Sequence, residues 1–393
     1  MGRIVALTGN EAAGTAMIQL RPDVVPAFPI TPQTELMHKF ADAVADGDVD
    51  TEFVLVESEH SAMSAAVGAS AAGARVMTAT SANGFALMWE VVYIAASNRL
   101  PIVMTLVNRA LSAPINIHCD HSDSMGGRDT GWIQLHSENS QEVYDNLIQG
   151  VKIAENRDVL LPVMVTSDGF ILSHTLERMD ILNDQQVQSF VGEYNPEHTL
   201  LDVDHPVTFG PLDLPDYYFE HKRQQVLAME QAKRVILEVG REFKKLSGRG
   251  YELFEEYQME GAERAIIALG STAGTVKEAV DGLRKGGEKV GLIKLRVFRP
   301  FPKEELLAAL KGVKVLAVFD RSHSFGGFGG PLFTEVRSTL YGSDLSFEVL
   351  NYIYGLGGRN LSVEEIEEVF SDLQEVMKMG KVQERINYLG VRG

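Results

Sequence analysis

Residues Val24–Ala45 read VVPAFPITPQTELMHKFADAVA: a short apolar run, a Thr-Pro break, then an amphipathic stretch. The run to Ile30 has the length of a buried strand, and Thr31-Pro32 supplies an N-cap hydroxyl followed by proline at the first helical position, so a helix is expected from there to about Ala45. The same alternation continues outward. Phe53–Glu57 reads as a strand, with Ser61 as cap of a small-residue helix to about Ala72. Arg75–Thr80 is the next strand, Ser81 opens a helix to about Ser97, and Pro101–Val107 and Leu161–Thr166 are further strands. Strand–helix alternation of this regularity predicts an α/β fold with a doubly wound parallel sheet.

Between Asp216 and Met259 the pattern changes to a long charged helix with no buried-strand run, which reads as a connector. Alternation then resumes. Strands are expected at Ala265–Leu269, Val290–Val297, Val313–Phe319 and Phe347–Tyr354. Helices follow Thr272, span Pro302–Leu310, and close the chain after Ser362 as N-cap. The expected division is 1–215 for a first α/β domain, 216–257 for a helical linker and 258–393 for a second α/β domain.

The chain has 393 residues, 45% of them hydrophobic and 23% charged, so it has material for two large cores at about 150 residues per domain. Its 36 Lys and Arg stand against 54 Asp and Glu, a net charge of −18 that repels a phosphate backbone and argues against nucleic acid as partner. One cysteine, Cys119, cannot form an internal disulfide, a Cys-based zinc site or an iron–sulfur cluster. No segment reaches the roughly 20 apolar residues that cross a bilayer. The amino terminus, MGRIVALTGNEAAG, resembles neither a signal peptide nor a myristoylation site, so a soluble cytoplasmic protein without membrane partner is expected.

Ligands of open parallel sheets bind beyond the carboxyl ends of the strands. At those ends stand Thr31, then Glu57 and Glu59, then Ser81-Ala82-Asn83-Gly84, then Asn108-Arg109. A hydroxyl, a carboxylate, a small polar loop and a guanidinium on one edge suit an anionic small molecule. Arg109 presents a fork that matches a carboxylate, although an ordinary ion pair explains an arginine equally well. Glu59 begins a helix whose Ala, Ser and Gly neighbours invite close packing, and a buried carboxylate needs a partner.

The segment NIHCDHSDSMGGRDTG contains His118, Cys119, His121 and Asp123. Their tight spacing lacks the two-plus-two pattern of zinc sites, so a polar active-site loop is the reading and no metal is assigned. The glycine loops SFGGFGG (324–330) and GSTAG (270–274) lack the lysine of a P-loop and the spacing of a dinucleotide fingerprint, which favours turns and close backbone approach.

Taken together, FPITPQTELM, VESEHSAMSAAVGASAAGARVMTATSANGFALMWEV, RLPIVMTLVNRAL, DHSD with Arg128 and Thr130, KLRVFRPFP and FDRSHSFGGFGGP resemble the alpha chain of the 2-oxoacid:ferredoxin oxidoreductases over nearly the whole length. The resemblance implies a domain of the type that holds the aminopyrimidine end of thiamine diphosphate, then a transketolase C-terminal-like domain. It places the diphosphate and its Mg²⁺ on a beta chain and 4Fe–4S clusters on the beta and a ferredoxin-like delta chain, with a gamma subunit completing the complex. This chain agrees in lacking a GDG followed by NN; SDG at Ser167–Gly169 is only a partial echo. By the resemblance Glu59 binds the pyrimidine ring, Ser81, Asn83 and Gly84 line the cofactor, and Thr31 and Arg109 hold the substrate.

The implied reaction is oxidative decarboxylation of a 2-oxoacid with coenzyme A and ferredoxin. Thr31 in PITPQT departs from the Arg-bearing loop of oxalate enzymes, and no extra cation for 2-oxoglutarate is evident. Pyruvate is therefore expected, with a branched-chain 2-oxoacid as the alternative. A noncatalytic scaffold is the alternative of another class; it would be marked by loss of Thr31, Glu59 or Arg109, and all three are present. For coenzyme A, Lys294, Arg296 and Arg299 in KLRVFRPFP and the SFGGFGG loop are surfaces to test, with solvated strand ends as the plain reading.

Overall fold

The computed structural model describes residues 2–392. In the first body, four parallel strands lie in the spatial order Ile133–His136, Val163–Asp168, Val103–Asn108, Met77–Thr80. A parallel pair, Val24–Ala27 with Glu52–Leu55, continues this sheet through a single bridge from Val24 to Val76. Helices cover both of its faces. Helix Ser140–Ala154 is buried along nearly its whole length, capped by Asn139, whose side chain accepts the Glu142 N–H at 2.9 Å. Helix Gly9–Leu20 packs beside it, and Tyr144 donates its hydroxyl to Gln19 Oε1 across the contact at 2.5 Å.

Local starts differ from the expectations in an instructive way. The helix after Val24–Ala27 begins at Thr34, not at Pro32 behind a Thr31 cap, and Gln33 precedes it without a side-chain cap. Gln33 instead points inward to the carbonyls of Phe28 and Ala79, and Thr31 is left in the preceding turn beside the sheet edge. The small-residue helix runs Glu59–Ala71 and is capped by Ser58, whose Oγ accepts the Ser61 N–H; Ser61 is thus a first-turn residue. The stretch after Ser81 forms two helices, Ala82–Leu87 and Trp89–Ser97, meeting at Met88.

The connector is a 30-residue helix, Tyr218–Ser247, about 45 Å long at 1.5 Å per residue. It is not a free strut. Ala228, Ala232, Val235, Ile236, Val239 and Phe243 repeat at helical spacing and are buried in the same apolar cluster as Val143, Leu147 and Val151. Beyond it Phe254–Tyr257 forms a strand that the charge pattern hid. It pairs antiparallel with Val290–Leu295 at one edge of the second sheet, whose order continues Arg264–Leu269, Val315–Asp320, Glu348–Ile353 and Ile386–Tyr388, all parallel.

The expected strand Val290–Val297 divides. Residues Val290–Leu295 stay in the second sheet, while Val297–Arg299 crosses over and pairs antiparallel with Ile133–His136 of the first. Polar side chains at this crossing find partners across the seam. Lys294, almost fully buried, contacts the carboxylates of Glu142, Glu138 and Glu255. Burial alone would lower its pKa, but Glu142 and Glu138 outweigh that and hold it above the ordinary lysine value. Arg296 donates to Asn146 Oδ1 at 2.8 Å and Gln149 Oε1 at 3.2 Å. Replacing Lys294 with methionine leaves buried Glu142 without a cation, while Glu138 and Glu255 keep Lys277, and should cost about 3–5 kcal/mol of stability in a denaturant titration.

Candidate active site

The site is assembled at the carboxyl ends of the first sheet. Glu59, at the first position of its helix, is 5% exposed, and its carboxylate makes no hydrogen bond or ion pair among the described residues. That carboxylate lies against the backbone of Gly84: a Cβ at that position would sit 2.6 Å from Glu59 Oε1 and 2.5 Å from Thr80 Oγ1. A side chain there would force the Glu59 carboxylate and the Thr80 hydroxyl to shift. The hydroxyls of Thr80 and Ser81 are buried beside it with no partner among the described residues. The two orphaned hydroxyls beside this carboxylate are buried polar groups that call for a partner.

Arg109 follows the strand Val103–Asn108. It is buried, donating from Nη1 to the Thr31 carbonyl at 2.9 Å and from Nε to the Asn116 carbonyl at 3.3 Å. The structure thus brings Thr31 and Arg109 together, and Glu59 and Gly84 together. Asn83 is exposed, and its Oδ1 accepts from the Ser112 N–H and Oγ at 3.4 and 3.3 Å, tying the 81–84 loop to the segment after Arg109.

Asp123 joins these parts. Its Oδ2 accepts the Ala82 and Arg109 N–H groups at 3.0 Å each, and its Oδ1 accepts Asn108 Nδ2 and the Ser124 N–H at 2.7 Å each. Burial pushes its carboxyl up to about 6, with these donors opposing the rise. The linear pattern offers Asp123 only as a metal-ligand type; nothing in it reveals that donors from Ala82 and from Asn108-Arg109 converge there with its own Ser124 N–H.

Cys119 Sγ, His121 and Asp168 do place three ligand-type atoms within 4.8 Å. That arrangement is occupied by an ion pair instead. Asp168 Oδ1 bonds His121 Nε2 at 2.8 Å, and its Oδ2 accepts Arg321 Nη1 at 3.1 Å and Ser271 Oγ at 2.5 Å. Burial would raise its pKa, but His121 and Arg321 outweigh it and hold the carboxyl far below the usual range. The aspartate of the SDG segment therefore joins the two domains.

The glycine loops resolve in the same way. Gly270 has φ +66°, and a Cβ there would meet Asp168 at 2.9 Å. In SFGGFGG, Asp320 fills the start of helix Pro331–Leu340, accepting the Leu332 and Phe333 N–H groups at 2.8 and 3.0 Å; a Gly330 Cβ would collide with it. The helix end open to a phosphate in a nucleotide loop is here closed by the chain's own carboxylate. Lys294 and Arg296 are engaged in the interdomain seam, and Arg299 bonds Glu335 at 2.6 Å and the Arg128 carbonyl at 2.9 Å. None of the three is a free cation for coenzyme A phosphates, and the solvated strand ends expected of KLRVFRPFP are instead buried at Lys294 and Arg296 and half-buried at Arg299.

The carboxyl edge of the first sheet thus presents a buried glutamate, two unpartnered hydroxyls and a buried arginine beside a second α/β domain, the arrangement of an α/β ligand-binding site. Known proteins agree. Residues 15–241 match the family model "Pyruvate flavodoxin/ferredoxin oxidoreductase, thiamine diP-bdg", and residues 262–366 match "Pyruvate:ferredoxin oxidoreductase core domain II". The chain is 56% identical to pyruvate synthase subunit PorA of Thermotoga maritima, over 99% of this chain and 98% of the relative. It is 48% identical to the PorA of Methanocaldococcus jannaschii (95% and 96% covered), and 46% to ketoisovalerate oxidoreductase subunit VorA of Pyrococcus horikoshii (97% and 96%).

Among solved structures, a 2-oxoglutarate:ferredoxin oxidoreductase from Magnetococcus marinus superposes with a TM-score of 0.74 at 23% identity, covering 94% of this chain and 65% of that one. A split-gene transketolase superposes with a TM-score of 0.57 at 13% identity, covering 94% and 99%. These two show the fold. The chain belongs to the pyruvate:ferredoxin oxidoreductase family.

Two outcomes are expected from this geometry. Gly84→Ala drives a methyl into the Glu59 carboxylate, and should lower thiamine diphosphate affinity in the assembled enzyme at least tenfold, by about 1.4 kcal/mol or more, while far-UV circular dichroism is unchanged. His136 is fully buried, has no partner on either ring nitrogen among the described residues, and is held down to about 3 by burial and by His121 beside it. The unfolded chain takes up that proton first, so His136 favours unfolding as pH falls below about 6.5, by up to about 1.4 kcal/mol per pH unit. The loss of unfolding free energy between about pH 6.5 and 4 should be shallower in His136→Leu.

Proposed function

We infer that this chain is the alpha subunit of a heteromeric, cytoplasmic pyruvate:ferredoxin oxidoreductase. Pyruvate, coenzyme A and two oxidised ferredoxins give acetyl-CoA, CO₂, a proton and two reduced ferredoxins, reversibly. The observation that carries the reading is the Glu59 carboxylate, buried without a partner over Gly84 at the sheet's carboxyl edge.

Glu59 would hold a nitrogen of the aminopyrimidine by hydrogen bond, with Ser81, Asn83 and Gly84 forming the wall beside it. Thiamine diphosphate, when bound, supplies the electron sink for cleaving the bond between carboxylate and carbonyl carbon. Arg109 is already oriented by two carbonyls through Nη1 and Nε, which leaves Nη2 for the substrate carboxylate, and Thr31 lies on the same side. General acid–base help of the kind Glu59 provides is worth about a hundred- to ten-thousand-fold.

The chain's single cysteine is buried, so the electrons leave through clusters on other subunits. The diphosphate and Mg²⁺ are assigned to a beta chain, and the clusters to the beta and delta chains, with gamma completing the assembly. An apolar patch beside the site supports docking of such a partner: Leu87, Trp89, Tyr93 and Ile94 are exposed on the two helices that follow Ser81. Ferredoxins are commonly acidic, and a charge of −18 on this chain favours their docking elsewhere in the complex.

A branched-chain 2-oxoacid is the second reading, favoured by the 46% identity to a relative named for ketoisovalerate. A panel of 2-oxoacids, scored by ferredoxin reduction with the assembled complex, separates the two. Glu59→Ala should lower turnover at least about a hundredfold while the complex still assembles. Arg109→Ala should chiefly raise KM for pyruvate. Unchanged turnover in the first variant removes the assignment of the cofactor site, and also the case against a scaffold.

A further inference from the structure

We propose that Asp123 is a positioning residue for the 2-oxoacid reaction: its carboxylate sets the place of Arg109 relative to the cofactor-binding loop 81–84. The inference rests on the substrate role of Arg109 and the cofactor role of Glu59 given above. It adds a residue that touches neither ligand.

Four N–H groups converge on one carboxylate, two on each oxygen, at 2.7–3.0 Å. They come from the start of helix Ala82–Leu87, from the end of strand Val103–Asn108 and the residue after it, and from Asp123's own short helix. Two of these, Ala82 and Arg109, belong to the two halves of the site. Oδ2 accepts both backbone groups, so a single oxygen fixes their spacing. Only a carboxylate has the acceptor capacity for four such donors.

Ala82 takes φ +38°, an uncommon value for a residue with a side chain, and its N–H is the one Asp123 accepts. The loop turns there just before Asn83 and Gly84, against which Glu59 packs. Release of that N–H therefore frees the wall of the cofactor site. Release of the Arg109 N–H frees the base of the guanidinium, whose tip is held only by the carbonyls of Thr31 and Asn116 among the described residues.

Asp123 is itself held from the second domain. His121 donates its backbone N–H to the Arg321 carbonyl at 2.8 Å, Asn116 Nδ2 donates to the Gly357 carbonyl at 3.0 Å, and Asp120 accepts the Gly357 N–H at 3.3 Å. The second domain thus contributes to substrate binding through the segment that bears Asp123.

The test is a double-mutant cycle in the assembled enzyme, with KM for pyruvate as readout and occupancy normalised to bound thiamine diphosphate. Asp123→Asn keeps the size but cannot accept on both sides. It should raise KM about tenfold, as small misplacements of binding groups do. In the Arg109→Ala background the same change should have no further effect on KM. A KM within about twofold of the parent, or an effect that multiplies that of Arg109→Ala, overturns the proposal, because a merely structural loss reduces the active fraction without this coupling.

Should Asp123→Asn fail to fold, Asn108→Ala removes one of the four donors and leaves the carboxylate in place. It should raise KM about threefold, again only when Arg109 is present, and an unchanged KM overturns the proposal. A normal KM in Arg109→Ala alone points to a different failure, that of the substrate role of Arg109, and then Asp123 has nothing to position.

Discussion

The two domains meet on one carboxylate. Asp168 stands at the end of the central strand of the first sheet, and three residues reach it: His121 from the loop below the site, and Ser271 and Arg321 from the ends of two strands in the second sheet. An isolated carboxylate at that depth would be neutral, and its imidazole and guanidinium partners would be costly alone. Together Asp168 and Arg321 compensate each other. Removing Arg321 would leave the Asp168 carboxylate buried without its guanidinium, which makes the relative placement of the domains specific. The loop that carries Asn116, Cys119, His121 and Asp123 runs between this cluster and Arg109, so the geometry of the site is inherited from the seam.

Much of this architecture is legible in the sequence, for identifiable reasons. Alternating apolar runs and amphipathic stretches mark strands and helices of a parallel sheet, and the residues after each run, Thr31, Glu59, Ser81 and Arg109, do lie at its carboxyl edge. Three features resist. The helix after Thr31 starts two residues late because Gln33 is drawn inward by backbone carbonyls, a tertiary contact that overrides the local Thr-Pro signal. Phe254–Tyr257 is hidden as a strand by Glu255 and Glu256. Glu255 faces Lys277 and Lys294 at 2.9 and 3.0 Å, so its charge is neutralised by residues far along the chain. The third is the division of Val290–Val297 between two sheets, which no local pattern announces.

The candidate site is legible by residue type but not by partnership. Gly84 reads in sequence as part of a small polar loop lining the cofactor; in space a Cβ there would sit 2.6 Å from the Glu59 carboxylate. Lys294, Arg296 and Arg299 read as a basic stripe, and the structure turns each against an acceptor on the other domain or beside the seam. Both cases obey one rule. Charge and glycine patterns state what a residue is able to do, while the choice among those abilities depends on what the fold brings within about 3–4 Å.

The crossing of Val297–Arg299 into the first sheet bears on how the chain is divided. In sequence the second half begins after the long helix; in hydrogen bonds this short strand belongs to the first half, because Val297 covers the edge of Ile133–His136. A first half made without it would present a bare parallel-sheet edge, the feature that natural proteins cover to avoid self-association. The strand therefore acts as a guard for its neighbour, and the two modules are interlocked through it.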